Sequence, residues 1–297
     1  MATGIVSVAL RLVHATLLSS ALLVLTAAVW VLLGAAVLAH AAGAPHRWRD
    51  AARQPAALTA VAGTAVLGTR LLLLGWMWAG WPLLALALIL WLALLPFSAI
   101  GHAAAGAGFL LVVAPQSLAV LAASLAGSIG SLALAVAALA PFVIGLAAYP
   151  VTLVRFDFEQ LRTGRGDHWI AGGALAISNL ACGEIARALI AHRAWGGEPL
   201  RVGTTILWAC SVAWLPVLVV AELHWPRLRY HVTRWATVFP LGMYAVMSVT
   251  AGEVTNTRAF IDFGHVTAWI AFAVWCVVAL GALAAVVAIP SRPNRPS

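Results

Sequence analysis

The sequence predicts an all-α polytopic membrane protein of about ten transmembrane helices, paired as five helical hairpins with odd helices inside and even helices outside. Three observations lead there. First, 63% of the 297 residues are hydrophobic and only 9% are charged, against roughly a quarter charged in a soluble domain. Second, apolar runs of about 20 residues, the length that crosses a hydrocarbon core of about 30 Å, recur along the whole chain. Third, the runs alternate in character, one holding small and polar residues and the next plainly greasy. Strand alternation is absent, which argues against an outer-membrane barrel.

The runs fall near residues 1–14, 16–39, 55–75, 76–98, 107–127, 130–154, 168–190, 202–223, 232–254 and 264–289, within one transmembrane domain over 1–297 that ends in a short tail at 291–297. The first run is short: from Met1 to His14 a helix rises only about 21 Å, so we expect the true first helix to begin upstream. A removable signal peptide is the weaker alternative, because no basic stretch precedes the apolar part.

Interiors of the odd runs carry Thr3, Gly4 and Ser7, then Thr59, Gly63, Thr64, Gly68 and Thr69, then Gln116, Ser117 and Ser124. The seventh holds Gly172, Gly173, Ser178, Asn179 and Gly183, and the ninth Thr237, Gly242, Ser248 and Thr250. Even runs read like LLALALILWLALL (Leu83 to Leu95) and IAFAVWCVVALGALAAVV (Ile270 to Val287). Small and polar side chains are costly against lipid, so they belong at helix contacts or along a water path. Both readings stay open at this level, for Asn179, Gln116 and Ser117 in particular. Proline does not mark the inner set, since Pro115 is in an odd run but Pro141 and Pro216 are in even ones.

All 17 basic residues are arginine, for a formal charge of +8. They sit mostly in short connections, as orientation signals rather than a nucleic-acid surface. Arg47, Arg49 and Arg53, Arg155, Arg162 and Arg165, Arg227, Arg229 and Arg234, and Arg292 and Arg295 share one face if there are ten spans. The positive-inside rule makes that face cytoplasmic, with both termini on it. The connection near Ser98 to Gly106 is silent, holding only His102. The segment RFDFEQLRTGRGDHW (Arg155 to Trp169) reads as a solvated loop with an amphipathic turn.

The ninth run holds the stretch TRWATVFPLGMYAV. Pro240 removes one backbone donor and crowds the carbonyl of Ala236, which predicts a kink. Steps of three and four from Phe239 collect Gly242, Val246, Thr250 and Glu253 on one face. Phe239 then heads a stripe of smaller side chains, about 12 Å from the cytoplasmic end. Two readings compete: a packing aromatic beside an ordinary kink, or a phenyl ring that closes a narrow pore by excluding hydration water.

At these residues the chain resembles a known family. RWATVFPLGMYAV, GDHWIAGGALAISNLA (Gly166 to Ala181), VVAPQSLAVLA (Val112 to Ala122) and MATGIVSVA (Met1 to Ala9) look like motifs of the tellurite-resistance/C4-dicarboxylate transporter family, bacterial relatives of the plant slow-type anion channel. The likeness runs in order over nearly the whole chain. It implies five hairpins around a central pore, a homotrimer with one pore per subunit in the bacterial cytoplasmic membrane, and no cofactor. It further implies that Phe239, with Pro240 beside it, is the gate, and that anions permeate with weak discrimination for want of a tight binding site. The short first run departs from the family pattern and bears on the pore's cytoplasmic end. Along such a pore we expect Thr3, Gly4, Gly63, Gln116, Ser117, Asn179, Gly183, Gly242, Val246 and Thr250.

Glu184 and Arg187, three apart, can pair on one helix, and Arg70 and Glu253 lie at similar predicted depth toward the outside. The four are expected near an outer vestibule, either as a structural ion-pair network or with an arginine drawing anions inward. Cys182, Cys210 and Cys276 lack metal or disulfide spacing. The nine histidines sit mainly near span ends, which argues against a membrane haem. No hydrolase, zincin or P-loop motif is present, so an enzyme is disfavoured. The expected function is passive passage of small inorganic or dicarboxylate anions. Alternatives are a proton-coupled malate carrier or tellurite or sulfite exporter, with Glu184 and Glu253 as the only deep acids, and a non-transporting scaffold.

Overall fold

The computed structural model describes residues 1–43, 51–98, 105–227 and 229–288. Within them the chain forms α1 (Ala2–Leu12), α2 (Thr16–Gly43), α3 (Pro55–Leu72), α4 (Met77–Ser98) and α5 (Gly106–Ile129). There follow α6 (Leu132–Arg155), α7 (Asp167–Ala191), α8 (Gly197–His224), α9 (Val232–Thr255) and α10 (Arg258–Val287). Nine of these, among the described residues, are long and apolar enough to cross a membrane; α1, with 11 residues, is shorter. This is a multi-pass, all-helical membrane protein. The connections holding Arg47, Arg49 and His102, and the tail with Arg292 and Arg295, lie outside the described residues.

Two helices start earlier than their apolar runs indicate. α8 begins at Gly197 rather than near 202, and α10 at Arg258 rather than near 264. In both, a charged first turn extends the helix: Glu198 pairs with Arg201 at 2.8 Å and Arg258 with Asp262 at 3.0 Å. Local i,i+3 and i,i+4 pairs carry a helix beyond the hydrocarbon, where hydropathy is silent. The even-helix prolines mark irregular turns. Pro141 and Pro216 cannot donate to the carbonyls of Ala137 and Val212, and the helical pattern lapses at Ala138 and Ala213.

Burial follows parity. In the hydrophobic windows of α3, α5, α7 and α9, 61–89% of residues are buried, whereas in the even helices 11–33% are. Each odd helix packs on the even helix that follows it, and the odd helices touch in the order α1, α3, α5, α7, α9, with α9 returning to α1. Polar groups cannot be left bare in lipid, and indole N–H groups of even helices reach hydroxyls on odd ones. Trp30 of α2 donates to Thr64 Oγ1 (3.0 Å), Trp208 of α8 to Ser248 Oγ (2.9 Å) and Trp275 of α10 to Thr3 Oγ1 (3.2 Å).

The five odd-to-even turns share a backbone device that their sequences conceal. His14, Gly75, Gly130, Arg193 and Asn256 all have positive φ, between 52° and 81°. In each turn the next residue's N–H bonds back five residues to the preceding helix: Ala15 to Leu10, Trp76 to Leu71, Ser131 to Ala126, Ala194 to Leu189 and Thr257 to Gly252, at 2.9–3.1 Å. This is the left-handed helix stop that satisfies terminal carbonyls and reverses the chain at once. A β-carbon is unfavourable there, least so for Asn. Arg193→Gly is therefore expected to stabilise the protein by about 0.5–1 kcal/mol, and Asn256→Gly by less. Thermal unfolding of the two variants in detergent checks the order.

Candidate functional site

Where the odd helices meet, every one of them contributes to a single small cavity of about 20 Å³. Ile5 of α1, Val66 of α3, Val120 of α5, Ile177 of α7 and Val246 of α9 supply its walls. Ser117 and Thr69 also border it, but their hydroxyls turn back onto their own helices, to Ala114 O (2.7 Å) and Ala65 O (3.1 Å). The space is of the order of one water molecule, and apolar walls give a water nothing to bond. A larger groove of about 560 Å³ lies at the surface, apart from this cavity, between α8 and the connection before α7.

Phe239 is fully buried. It stands four and seven residues before Met243 and Val246, both of which border the cavity, so helical periodicity puts the three on one face. The ring thus lies one turn, about 6 Å, along α9 from the cavity. Pro240 points elsewhere. A Cβ on Gly173 would lie 2.8 Å from Pro240 Cγ, and one on Gly172 would overlap the Tyr244 hydroxyl. The paired glycines of α7 and the proline and tyrosine of α9 are therefore one packing unit, tied further to α8 by Tyr244 Oη donating to Ser211 O (3.0 Å).

Most small and polar residues expected along a water path are taken up by helix contacts instead. Thr3 faces Trp275 of α10. Gly4 admits Val66 and Thr26, and a Cβ on Gly242 would meet Ile5 Cγ2 at 2.7 Å. Gln116 donates to Phe142 O (3.1 Å) and packs on Gly145 of α6. Asn179 Nδ2 donates to Thr204 O of α8 (2.5 Å), and Gly183 abuts Thr250. Gly63 faces the start of α1. Of the expected set, Ser117 and Val246 border the cavity. The physical reason is plain: in lipid, small residues let backbones approach and polar ones find partners, and both needs are met between helices.

The charges also separate. Arg187 binds Glu253 Oε2 at 2.6 Å and Glu184 Oε1 at 3.5 Å, and Thr250 Oγ1 donates to Glu184 (3.4 Å), joining α7 to α9 near their C-terminal ends. Arg70 takes no part in this network and opens on no vestibule. It is 1% exposed, donating through Nε to Ser7 Oγ (3.0 Å) and through Nη2 to Ser19 Oγ (2.8 Å).

One polar centre was missed in the sequence. At the opposite ends of α7 and α9, Glu222 of α8 accepts from Arg234 (2.8 Å), Arg227 (3.2 Å) and Trp169 Nε1 (3.5 Å). Arg227 also donates to the carbonyls of Gly164, Leu161 and Arg162. Gly166, with φ of 123°, closes this connection where a Cβ would press on Thr233 O. An acid at the end of an apolar run, five residues before Arg227, was the available signal. Glu222→Ala strands two arginines, and a loss of about 1–3 kcal/mol is expected in thermal unfolding.

Comparisons with known proteins agree with the architecture. The family described as SLAC1, voltage-dependent anion channel, matches residues 1–283. Relatives from two strains of Mycobacterium tuberculosis, each described as an uncharacterized membrane protein, are 34% identical over 116 residues, which is 37% of this chain and 59% of theirs. The chain thus spans about 59% of the length of these curated relatives. No solved structure matches it. With nearly the whole described chain matched and the helices arranged by parity as above, the protein belongs to the voltage-dependent anion channel family.

Proposed function

We propose that the protein is a passive anion channel whose pore runs between the odd helices and is closed by Phe239. Members of its family are membrane channels and transporters for anions, not enzymes. The observation that carries the reading is a fully enclosed aromatic ring sharing a helix face with Met243 and Val246, which border a cavity that all five odd helices contribute to. A dry constriction of this kind stops ions by refusing their hydration water. In this reading the chain is a homotrimer in the bacterial cytoplasmic membrane, one pore per subunit, with both termini cytoplasmic.

Ion-replacement current recordings on the purified protein test it, with chloride, nitrate, sulfite and malate compared. Currents that reverse with the anion gradient and ignore a pH step support the passive reading. Flux that demands a proton gradient would make it a coupled dicarboxylate carrier or oxyanion exporter. No flux above empty vesicles would leave a scaffold. Both deep acids named for proton relay, Glu184 and Glu253, are engaged by Arg187, which favours passive passage.

A further inference from the structure

Arg70 is the largest fully buried side chain among the described residues, and its surroundings are unusual for an arginine. Elsewhere among the described residues, several guanidiniums meet a carboxylate. Arg187 has two, Arg227 and Arg234 share Glu222, and Arg162, Arg201 and Arg258 each pair along their own helix. Arg70 has no carboxylate partner among the described residues.

What it has is a pair of serines. Ser7 of α1 donates to Ser19 O and Ser19 of α2 donates to Ser7 O, both at 2.7 Å, and this reciprocal clasp leaves the two hydroxyl oxygens as acceptors for Nε and Nη2 of Arg70. Nη1 is buried and has no partner among the described residues. The side-chain charge that acts on the group through space is a second cation, Arg11, one turn beyond Ser7 on α1. A guanidinium does not lose its proton in a protein, so it cannot escape burial by turning neutral. Two hydroxyl dipoles orient it without neutralising it, and an uncompensated charge away from water is strongly unfavourable.

We propose that the junction of α1, α2 and α3 binds one halide-sized monovalent inorganic anion, held by Nη1 of Arg70 beside the Ser7 and Ser19 clasp. Neither Arg70 nor the serines border the axial cavity, so this is a fixed counter-ion between helices and not a station on the proposed route. It stands whether or not Phe239 is a gate. The size and charge follow from the donors. Two N–H groups on one nitrogen hold a single small ion, and one positive charge needs one negative charge. A divalent oxyanion would bring excess charge and oxygen lone pairs for which no donors are at hand.

The test is thermal unfolding of the full chain in detergent, titrated with sodium chloride or bromide against sodium gluconate at constant ionic strength. The site predicts a midpoint rising with halide, roughly 3 °C per tenfold once the dissociation constant is passed, and no such rise in Arg70→Gln. If Arg70→Gln does not fold, Arg11→Gln decides, since removing the second cation should weaken the halide dependence several-fold. A wild-type midpoint indifferent to halide overturns the site. So does a dependence that persists in folded Arg70→Gln, or one that Arg11→Gln leaves unchanged when Arg70→Gln cannot be measured.

Discussion

Phe239→Ala is expected to raise anion current by at least about tenfold, which corresponds to lowering the barrier by about 1.4 kcal/mol. The ring is fully buried one turn from the cavity, and if it is the proposed gate its removal widens the passage. A wider passage holds water, and hydrated ions follow water. The same substitution costs about 3–5 kcal/mol of stability for loss of a buried phenyl, so a monodisperse, folded sample must be shown before the currents are read. Two controls separate opening from loosening. Phe239→Leu keeps an apolar plug and should stay near the wild-type current, whereas Met243→Ala enlarges the cavity without removing the plug and should change it little. Folded Phe239→Ala with wild-type current would falsify the gate.

Gly173→Val should be among the most destabilising single changes in the membrane region. Even a lone Cβ there would lie 2.8 Å from Pro240 Cγ and 3.3 Å from its Cα. A proline ring has no rotamer into which to retreat, so α7 and α9 must move apart, at a cost of about 1–3 kcal/mol or more. The specificity of this explanation can be read in a cycle. Pro240→Ala removes the obstructing ring, and Gly173→Ala should be much better tolerated in that background, with a coupling of about 0.5–3 kcal/mol. Strict additivity would mean the two residues do not share a seat. Because the same contact positions the helix turn bearing Phe239, Gly173→Ala should also alter gating in recordings, a readout that mere loosening of a distant contact would leave unmoved.

These contacts bear on why the FPLG and GDHW–GGALAIS segments stand out in the sequence. Gly172 and Gly173 receive Tyr244 and Pro240, Gly242 receives Ile5, and Gly166 supplies a backbone conformation that closes the connection against Thr233. Each is a packing requirement in its own right. Phe239, fully buried one turn from the cavity, is the residue whose role is proposed to go beyond packing.

The parity of the helices was legible because lipid enforces it. Thr64, Ser248 and Thr3 cannot face acyl chains, so their presence on alternate runs marks the inner set. Their targets were not legible. A polar side chain that must avoid lipid satisfies the same rule by facing water or by bonding to the next helix, and the second outcome holds for Thr3, which accepts from an indole, and for Gln116 and Asn179, which donate to backbone carbonyls. The fivefold turn was invisible for a different reason. Left-handed backbone is selected by local geometry, and His14, Gly75, Gly130, Arg193 and Asn256 meet it with four residue types.

Arg70 shows the division most clearly. Its depth follows from its position along a helix of fixed rise, and the sequence alone places it at the level of Glu253. Its partners depend on which way the helix is turned and which helices stand beside it, and these place it against Ser7 and Ser19, with Glu253 bound to Arg187 instead. The sequence by itself thus determined the number of helices and which of them are sheltered, because hydrophobic length and polarity are sums over local residues. Tertiary structure alone decided which side chains meet on the axis and which charge is left without its opposite, because those depend on rotations and neighbours that a linear pattern does not encode.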